Sequence, residues 1–349
     1  MTSATPPNES LRCKSLTPPF SAKLLDSLTK EGRSILDLLM VLFPASFRAE
    51  SLDLVTSAHN YHDLIRKELD IRRLNKIQRW LWIAGSTVPP RPLHIHLVMG
   101  REVVLHESMD MHLVWTTGKI FIKPLPLFLL EPTVWKEFLC CQDPCTCMSQ
   151  VADSGETVKY CERRELYKCA LGFLYSYAAL IRHESDFILA KEGHLLPGQI
   201  SWFNWILFIR ELDIEHIYPG INPRFHHREL RLSRLNYIYY ITQGSLDGYA
   251  HRYNRYSDFF RSHLAWMTAA TVYVAIVLTA MQVGLATEKL GENTFFHSAS
   301  YGFTVFALLA PLVCVGVVFL VFVFLLVYNT TQTLRVVKRR LVRFRVKNA

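Results

Sequence analysis

No stretch of the chain reads G-x-x-x-x-G-K-[ST] or G-x-G-x-x-G, so the two familiar backbone cradles for nucleotide phosphates are missing. No histidine precedes a glycine and no G-T-S occurs, and neither Gly85-Ser86 nor Gly244-Ser245 lies in G-x-S-x-G. These gaps argue against subtilisin-type and α/β-hydrolase triads. The start, residues 1–20, lacks the apolar run of a signal peptide. With Pro6, Pro7, Pro18 and Pro19 among Ser and Thr, it reads as a disordered lead. Charge is absent from two long runs: Leu264–Ala286, of 23 residues, and Tyr301–Tyr328, of 28. Acid is absent from everything after Tyr328.

Those uncharged runs organise the rest. A helix rises about 1.5 Å per residue and a hydrocarbon core is about 30 Å thick, so about 20 apolar residues cross it. Both runs are long enough, and the polar stretch 287–300 links them. The expectation is a C-terminal transmembrane hairpin with spans at 264–286 and 301–328. Pro311 is expected to kink the second span. Arg335, Lys338, Arg339, Arg340, Arg343, Arg345 and Lys347 crowd the tail 329–349, and the link holds only Lys289. Basic residues stay on the cytoplasmic side, which predicts both termini there. The net charge is +9, and the tail carries seven of it. The basic balance is therefore a sign of topology, not of nucleic acid. The same seven residues suit contact with anionic lipid headgroups of the bilayer.

Residues 21–263 read as a cytoplasmic α+β domain. Its small antiparallel β-sheet is expected at about 93–123 and its helices mostly over 132–262. Ser34–Phe43 reads as a short helix ended by Pro44. His62–Ala84 reads as one amphipathic helix with Leu74, Ile77 and Leu81 inside and Gly85 as its stop. Leu93–Met99 and Glu102–Glu107 alternate about a turn at Gly100-Arg101, and His112–Thr116 and Lys119–Lys123 flank Thr117-Gly118. Two hairpins follow from that pattern. Thr133–Cys141, Glu162–Arg182, Ile200–Glu211 and Arg228–Ile241 read as helices. Asp247–Ser262 reads as a run into the first span.

Three constellations invite chemistry. His94-Ile95-His96 has the spacing of a metal pair on one strand face. A two-residue turn at Gly100-Arg101 would place Glu102 and His106 on the opposite face, so the cluster comes apart. Cys140, Cys145, Cys147 and Cys161 are dense enough for zinc, but lack paired C-x2-4-C knuckles. Lipidation at Cys140 or Cys141, or a reduced Cys-bearing loop, are the alternatives. Asp153-Ser154-Gly155 has the D-[ST]-G form of two protease classes, without the partners either needs. No catalytic residue and no cofactor is expected. Within the hairpin, Ala265, Ala269, Ala280 and Gly284 share one stripe, the small-residue pattern of close helix contact in lipid. That stripe is expected to meet the second span near Gly302, Ala310 or Gly316, or to make a homo-oligomer.

Ala280-Met281-Gln282-Val283-Gly284-Leu285 and Ala299-Ser300-Tyr301-Gly302-Phe303-Thr304 resemble a family of uncharacterised fungal two-pass membrane proteins. So do Arg91-Pro92-Leu93-His94, His112-Leu113-Val114-Trp115, Lys123-Pro124-Leu125-Pro126 and Glu184-Ser185-Asp186-Phe187. Some members of that family carry a subtilisin-like serine protease label, which implies triad motifs that this chain lacks. A cytoplasmic domain before two spans and a basic tail also resembles the CorA class of magnesium channels in architecture. The Gly-Met-Asn of that class is replaced here by Val283-Gly284-Leu285. The reading reached is a non-enzymatic, membrane-anchored interaction or scaffold protein, with channel and hydrolase as alternatives.

Overall fold

The computed structural model describes residues 16–22, 24–25, 42–48, 54–56, 61–141, 149–151, 157–159, 161–244, 249 and 256–347. The helix expected at Ser34–Phe43, the Asp153-Ser154-Gly155 motif, Cys145 and Cys147 lie outside them, apart from Leu42 and Phe43. The chain divides into two compact units, Met1–Arg252 and Tyr253–Ala349.

The first unit opens with a short antiparallel pair, β1 (Ser46–Arg48) and β2 (Leu54–Thr56). The single helix expected over 62–84 is broken into pieces: α1 (Tyr61–Glu68), α2 (Arg72–Asn75), a 3-10 turn at Gln78–Trp80, and α3 (Leu81–Ala84). The break falls at Asp70, whose carboxylate accepts from the Arg72 backbone N–H at 2.9 Å and pairs with its guanidinium. A short acidic side chain offers the backbone an alternative partner, which is why it starts a new turn. Leu74, Ile77 and Leu81 are buried, as their spacing predicts.

The sheet differs from expectation. Leu93–Val98 is a helix, α4, and not a strand. Pro92 precedes it, Leu93 and His96 are its buried positions three apart, and Gly100 at φ +67° carries the chain away from it. A short apolar run satisfies both periods, and Pro at the start with a left-handed Gly past the end decides for helix. The strands are β3 (Glu102–Leu105), β4 (Val114–Thr116), β5 (Lys119–Ile122) and, far along the chain, β8 (Leu230–Arg231). Their order is β3-β5-β4-β8. The β4–β5 pair is the antiparallel hairpin expected about Thr117-Gly118, but β3 joins β5 and β8 joins β4 in parallel. The sheet is therefore mixed, not antiparallel. Between β5 and β8 lie an α turn at Pro132–Val134 running into a π turn at Trp135–Leu139, and a small antiparallel pair, β6 (Ser149–Val151) and β7 (Thr157–Lys159).

Helices α5 (Glu162–Leu180), α6 (Glu184–Glu192), α7 (Trp202–Glu211) and α8 (Leu232–Gln243) complete the unit. The uncharged face of α5 runs through the main core, with Phe173, Leu174 and Tyr177 fully buried. At Gly172 a Cβ would stand 2.3 Å from the Phe225 ring, so only glycine lets that ring reach the helix. Strand β5 divides two cores by its alternation. Ile120 and Ile122 face the main one, and Phe121 faces a smaller one with Leu74, Leu81, Val114, Leu230, Leu235 and Tyr249.

The second unit is α9 (Tyr256–Leu285), a short turn α10 (Glu288–Gly291), and α11 (Thr294–Lys347). Two helices here are long and apolar enough to cross a membrane, over Thr268–Leu285 and Thr294–Cys314. The hydroxyls of Thr279 and Thr304 bond back to Ala275 and Ser300 carbonyls four residues earlier, which satisfies both donors in an apolar setting. Helix α11 runs through Pro311 and on through the basic tail residues.

Candidate functional site

The small core carries a pocket on its polar side. The turn after α3, the C-terminal end of α4 and the chain entering β8 meet there. Arg228 N–H donates to the Ser86 carbonyl at 3.1 Å, and the His227 ring lies 3.1 Å from the Gly85 carbonyl. At Gly85 a Cβ would stand 2.8 Å from the Glu229 carbonyl oxygen, so the turn requires glycine. The parallel β4–β8 register sets Trp115 opposite Arg231. The resulting cavity holds about 410 Å³ and is lined by Arg91, Arg101, Arg228, Arg231 and Arg234, with Glu229, Trp82, Trp115 and Met99. Arg228, Arg231 and Arg234 recur every three residues across the junction from extended chain into α8.

Charge balance decides what the pocket can take. Five arginines and one glutamate line it; Arg234 Nη1 donates to the Ile83 carbonyl at 2.9 Å and Arg91 Nη1 lies 3.2 Å from the Met99 sulfur. Glu229 is buried and already occupied: Oε1 accepts from the Arg91 backbone N–H at 2.9 Å, and Oε2 lies 3.7 Å from Arg228 Nε. Below it lies His96, fully buried. Arg101 Nη1 lies 3.2 Å from His96 Nδ1. An arginine can only donate, so Nδ1 is the acceptor and the ring proton sits on Nε2, 3.5 Å from Glu229 Oε1. Burial pushes the His96 imidazole down to about 4, against the pull of Glu229 and with help from Arg101 and Arg91. The histidine is neutral at physiological pH and cancels none of the positive charge. Burial also lowers the Arg101 guanidinium, with Arg91 and Arg228 pressing the same way and Glu229 opposing. The net excess of cations is therefore uncompensated by the protein and suits an anion.

Arg101 and Arg231 stack on Trp115, with guanidinium carbons 4.1 and 5.2 Å from the ring centre. Such cation–π contacts hold the two side chains against the indole face, while Arg101 Nη1 is turned towards His96. Behind the pocket Arg224, fully buried, ties the support together. It donates to the carbonyls of His227, Arg228 and His112 at 3.0, 3.3 and 2.9 Å.

The residues singled out by sequence fall elsewhere. His94 is not paired with His96. Its ring and backbone N–H both bond Asp186 Oδ1, at 2.8 and 2.9 Å, which ties α4 to the start of α6. Cys140, Cys141 and Cys161 are buried, with the Cys141 and Cys161 sulfurs 3.6 Å apart. Burial pushes the Cys140 thiol up to about 11. Among the described residues no three His, Cys, Asp or Glu gather where a metal would need them. In the second unit Gly284 lies under Phe296, and a Cβ there would stand 2.8 Å from that ring. Ala269 and Ala280 are exposed within the single chain, Gly302 and Gly316 have open space beside them, and Ala265 lies on α9. The seven basic tail residues lie on α11.

A protein-family model matches residues 61–311, and the family it represents is one of unknown function (DUF6601). The matched region takes in every residue of the arginine pocket and all of α9. No curated protein and no solved structure matches the chain.

Proposed function

This chain belongs to that family of unknown function, and from that premise we propose that it is a membrane-anchored, non-enzymatic binding protein whose α+β domain holds an anionic group in the arginine pocket. The observation that carries the reading is that five arginines and a single carboxylic residue line a cavity of about 410 Å³. Phosphate monoesters and diesters fit best, because paired guanidinium forks match their oxygens. Of the side chains lining the cavity, Ser86 has the only hydroxyl, and no histidine lines it to act as its base. That supports binding without bond-making.

The anchor is read from the two long apolar helices, and the side of the membrane from the basic residues of α11 against the single Lys289 between the helices. Both termini then lie on the cytoplasmic side. The stripe Ala265, Ala269, Ala280 and Gly284 offers a surface for helix contact within the hairpin or with a second copy.

Isothermal titration of the full chain in detergent with pyrophosphate tests the pocket. The expected result is saturable binding that weakens tenfold or more in Arg101→Gln/Arg231→Gln, equivalent to about 1.4 kcal/mol or more. Equal binding by that variant would refute the reading.

A further inference from the structure

Beside the arginine pocket lies an apolar surface that the fold leaves uncovered. On α8, Tyr237, Tyr240 and Ile241 sit at helical spacing on the side away from the core. Tyr237 is 71% exposed and Ile241 68%. Trp80, from the segment before α3, shares a groove with Tyr237 and Ile241, and Trp82, within α3 and 65% exposed, lines the neighbouring arginine pocket. A groove of about 250 Å³ runs between Trp80, Ile83, Tyr237 and Ile241. Arg234 lines both this groove and the arginine pocket. A third, polar hollow shares Trp80 and brings Lys76 and Arg79. Across the three hollows Glu229 is the one carboxylate, and it is buried.

We infer that this surface docks on a bilayer. Trp80, Trp82, Tyr237, Tyr240 and Ile241 enter the interfacial layer, and the arginine pocket beside them takes the phosphate of an anionic lipid headgroup. The choice of headgroup rests on the pocket reading above. Tryptophan and tyrosine are the side chains that favour the membrane–water interface, and arginine and lysine around them favour an anionic leaflet. A second copy of the chain is the poorer occupant, since a two-fold contact would set one basic rim against another. The stretch of chain between α8 and α9 is short. Helix α8 ends at Gln243 and α9 begins at Tyr256, so twelve residues separate them. Twelve residues reach at most about 40 Å.

The test uses the full chain with Trp266→Phe, reconstituted into phosphatidylcholine vesicles with or without phosphatidylserine, with brominated acyl chains as tryptophan quenchers. Quenching should fall when Trp80→Phe/Trp82→Phe is added, and again in Tyr237→Asp/Ile241→Asp, which alters only exposed positions. The effect should be larger with phosphatidylserine and should shrink in Arg101→Gln/Arg231→Gln. If pyrophosphate binds the pocket but Trp80→Phe/Trp82→Phe leaves quenching unchanged in both vesicles, the docking surface is wrong and the pocket stands. If quenching by both vesicles is equal and indifferent to the arginine variants, the headgroup assignment is wrong, and pyrophosphate titration decides the pocket by itself. If Trp80 and Trp82 are shielded, and Tyr237→Asp/Ile241→Asp halves the particle mass, a second copy covers the surface and the inference is overturned.

Discussion

The guanidinium carbon of Arg101 lies over Trp115, 4.1 Å from the ring centre. Arg101 follows the turn after α4, and Trp115 lies within β4. Arg101 is nearly buried, yet it lines an open cavity. The indole therefore stands in for part of the water that the cation has lost.

Trp115→Leu should keep the fold and weaken pyrophosphate binding about twofold to thirtyfold, since an exposed-to-buried cation–π contact is worth about 0.5–2 kcal/mol. Trp115→Phe should recover part of the loss, because a ring remains. Titration of both variants decides it, and equal weakening by the two would show that the aromatic face plays no part.

Acid should destabilise the domain over a defined window. His96 has an ordinary pKa of 6.5 and about 4 in the fold. Between those values only the unfolded chain takes up the proton, so stability is full above about 6.5 and is lost as pH falls towards 4. His112, fully buried and held well below its ordinary value by burial, then by Arg224 and Lys123, acts in the same direction. His96→Asn keeps an acceptor for Arg101 and cannot titrate. Thermal melts from pH 7 to 4 should fall less steeply for that variant than for the wild type, and parallel curves would contradict the assignment.

Lys123 is a buried cation apart from the pocket. Lys123 is fully buried at the end of β5, with Nζ 2.6 Å from Glu68 Oε2 and 3.7 Å from Glu107 Oε2. Glu68→Gln leaves that ammonium without its nearest countercharge and should cost about 3 kcal/mol. Adding Lys123→Met should restore part of it, since a well-packed apolar pair often replaces a buried ion pair at little cost. A double-mutant cycle on chemical unfolding measures the coupling, and simple additivity would show that the two charges do not interact.

The coarse plan was readable from residues alone, because periodicity survives without neighbours. Glu162–Leu180 and Trp202–Glu211 lie within two residues of their expected bounds, and the α+β character holds. The sheet was not readable beyond its one local hairpin. Leu93–Val98 satisfies a strand period and a helix period equally well, and β8 joins the sheet from more than a hundred residues away. The pocket was hidden for the same reason. Arg91, Arg101, Trp115 and Arg231 are scattered in sequence, and only the parallel β4–β8 pair and the turn at Gly85 bring them together. The three-residue spacing of Arg228, Arg231 and Arg234 was the one local trace of it, and it passes for the wet face of an amphipathic helix.

The most direct test of the account is to locate a bound anion. Tungstate has the shape and charge of a phosphate and a strong anomalous signal. Crystals of the full chain soaked in tungstate should show one anomalous peak in the cavity, within hydrogen-bonding distance of the Arg101 and Arg231 guanidinium groups, and the peak should vanish in Arg101→Gln/Arg231→Gln. An empty cavity at saturating tungstate, or a peak that survives the double substitution, would contradict the claim that these arginines form an anion site.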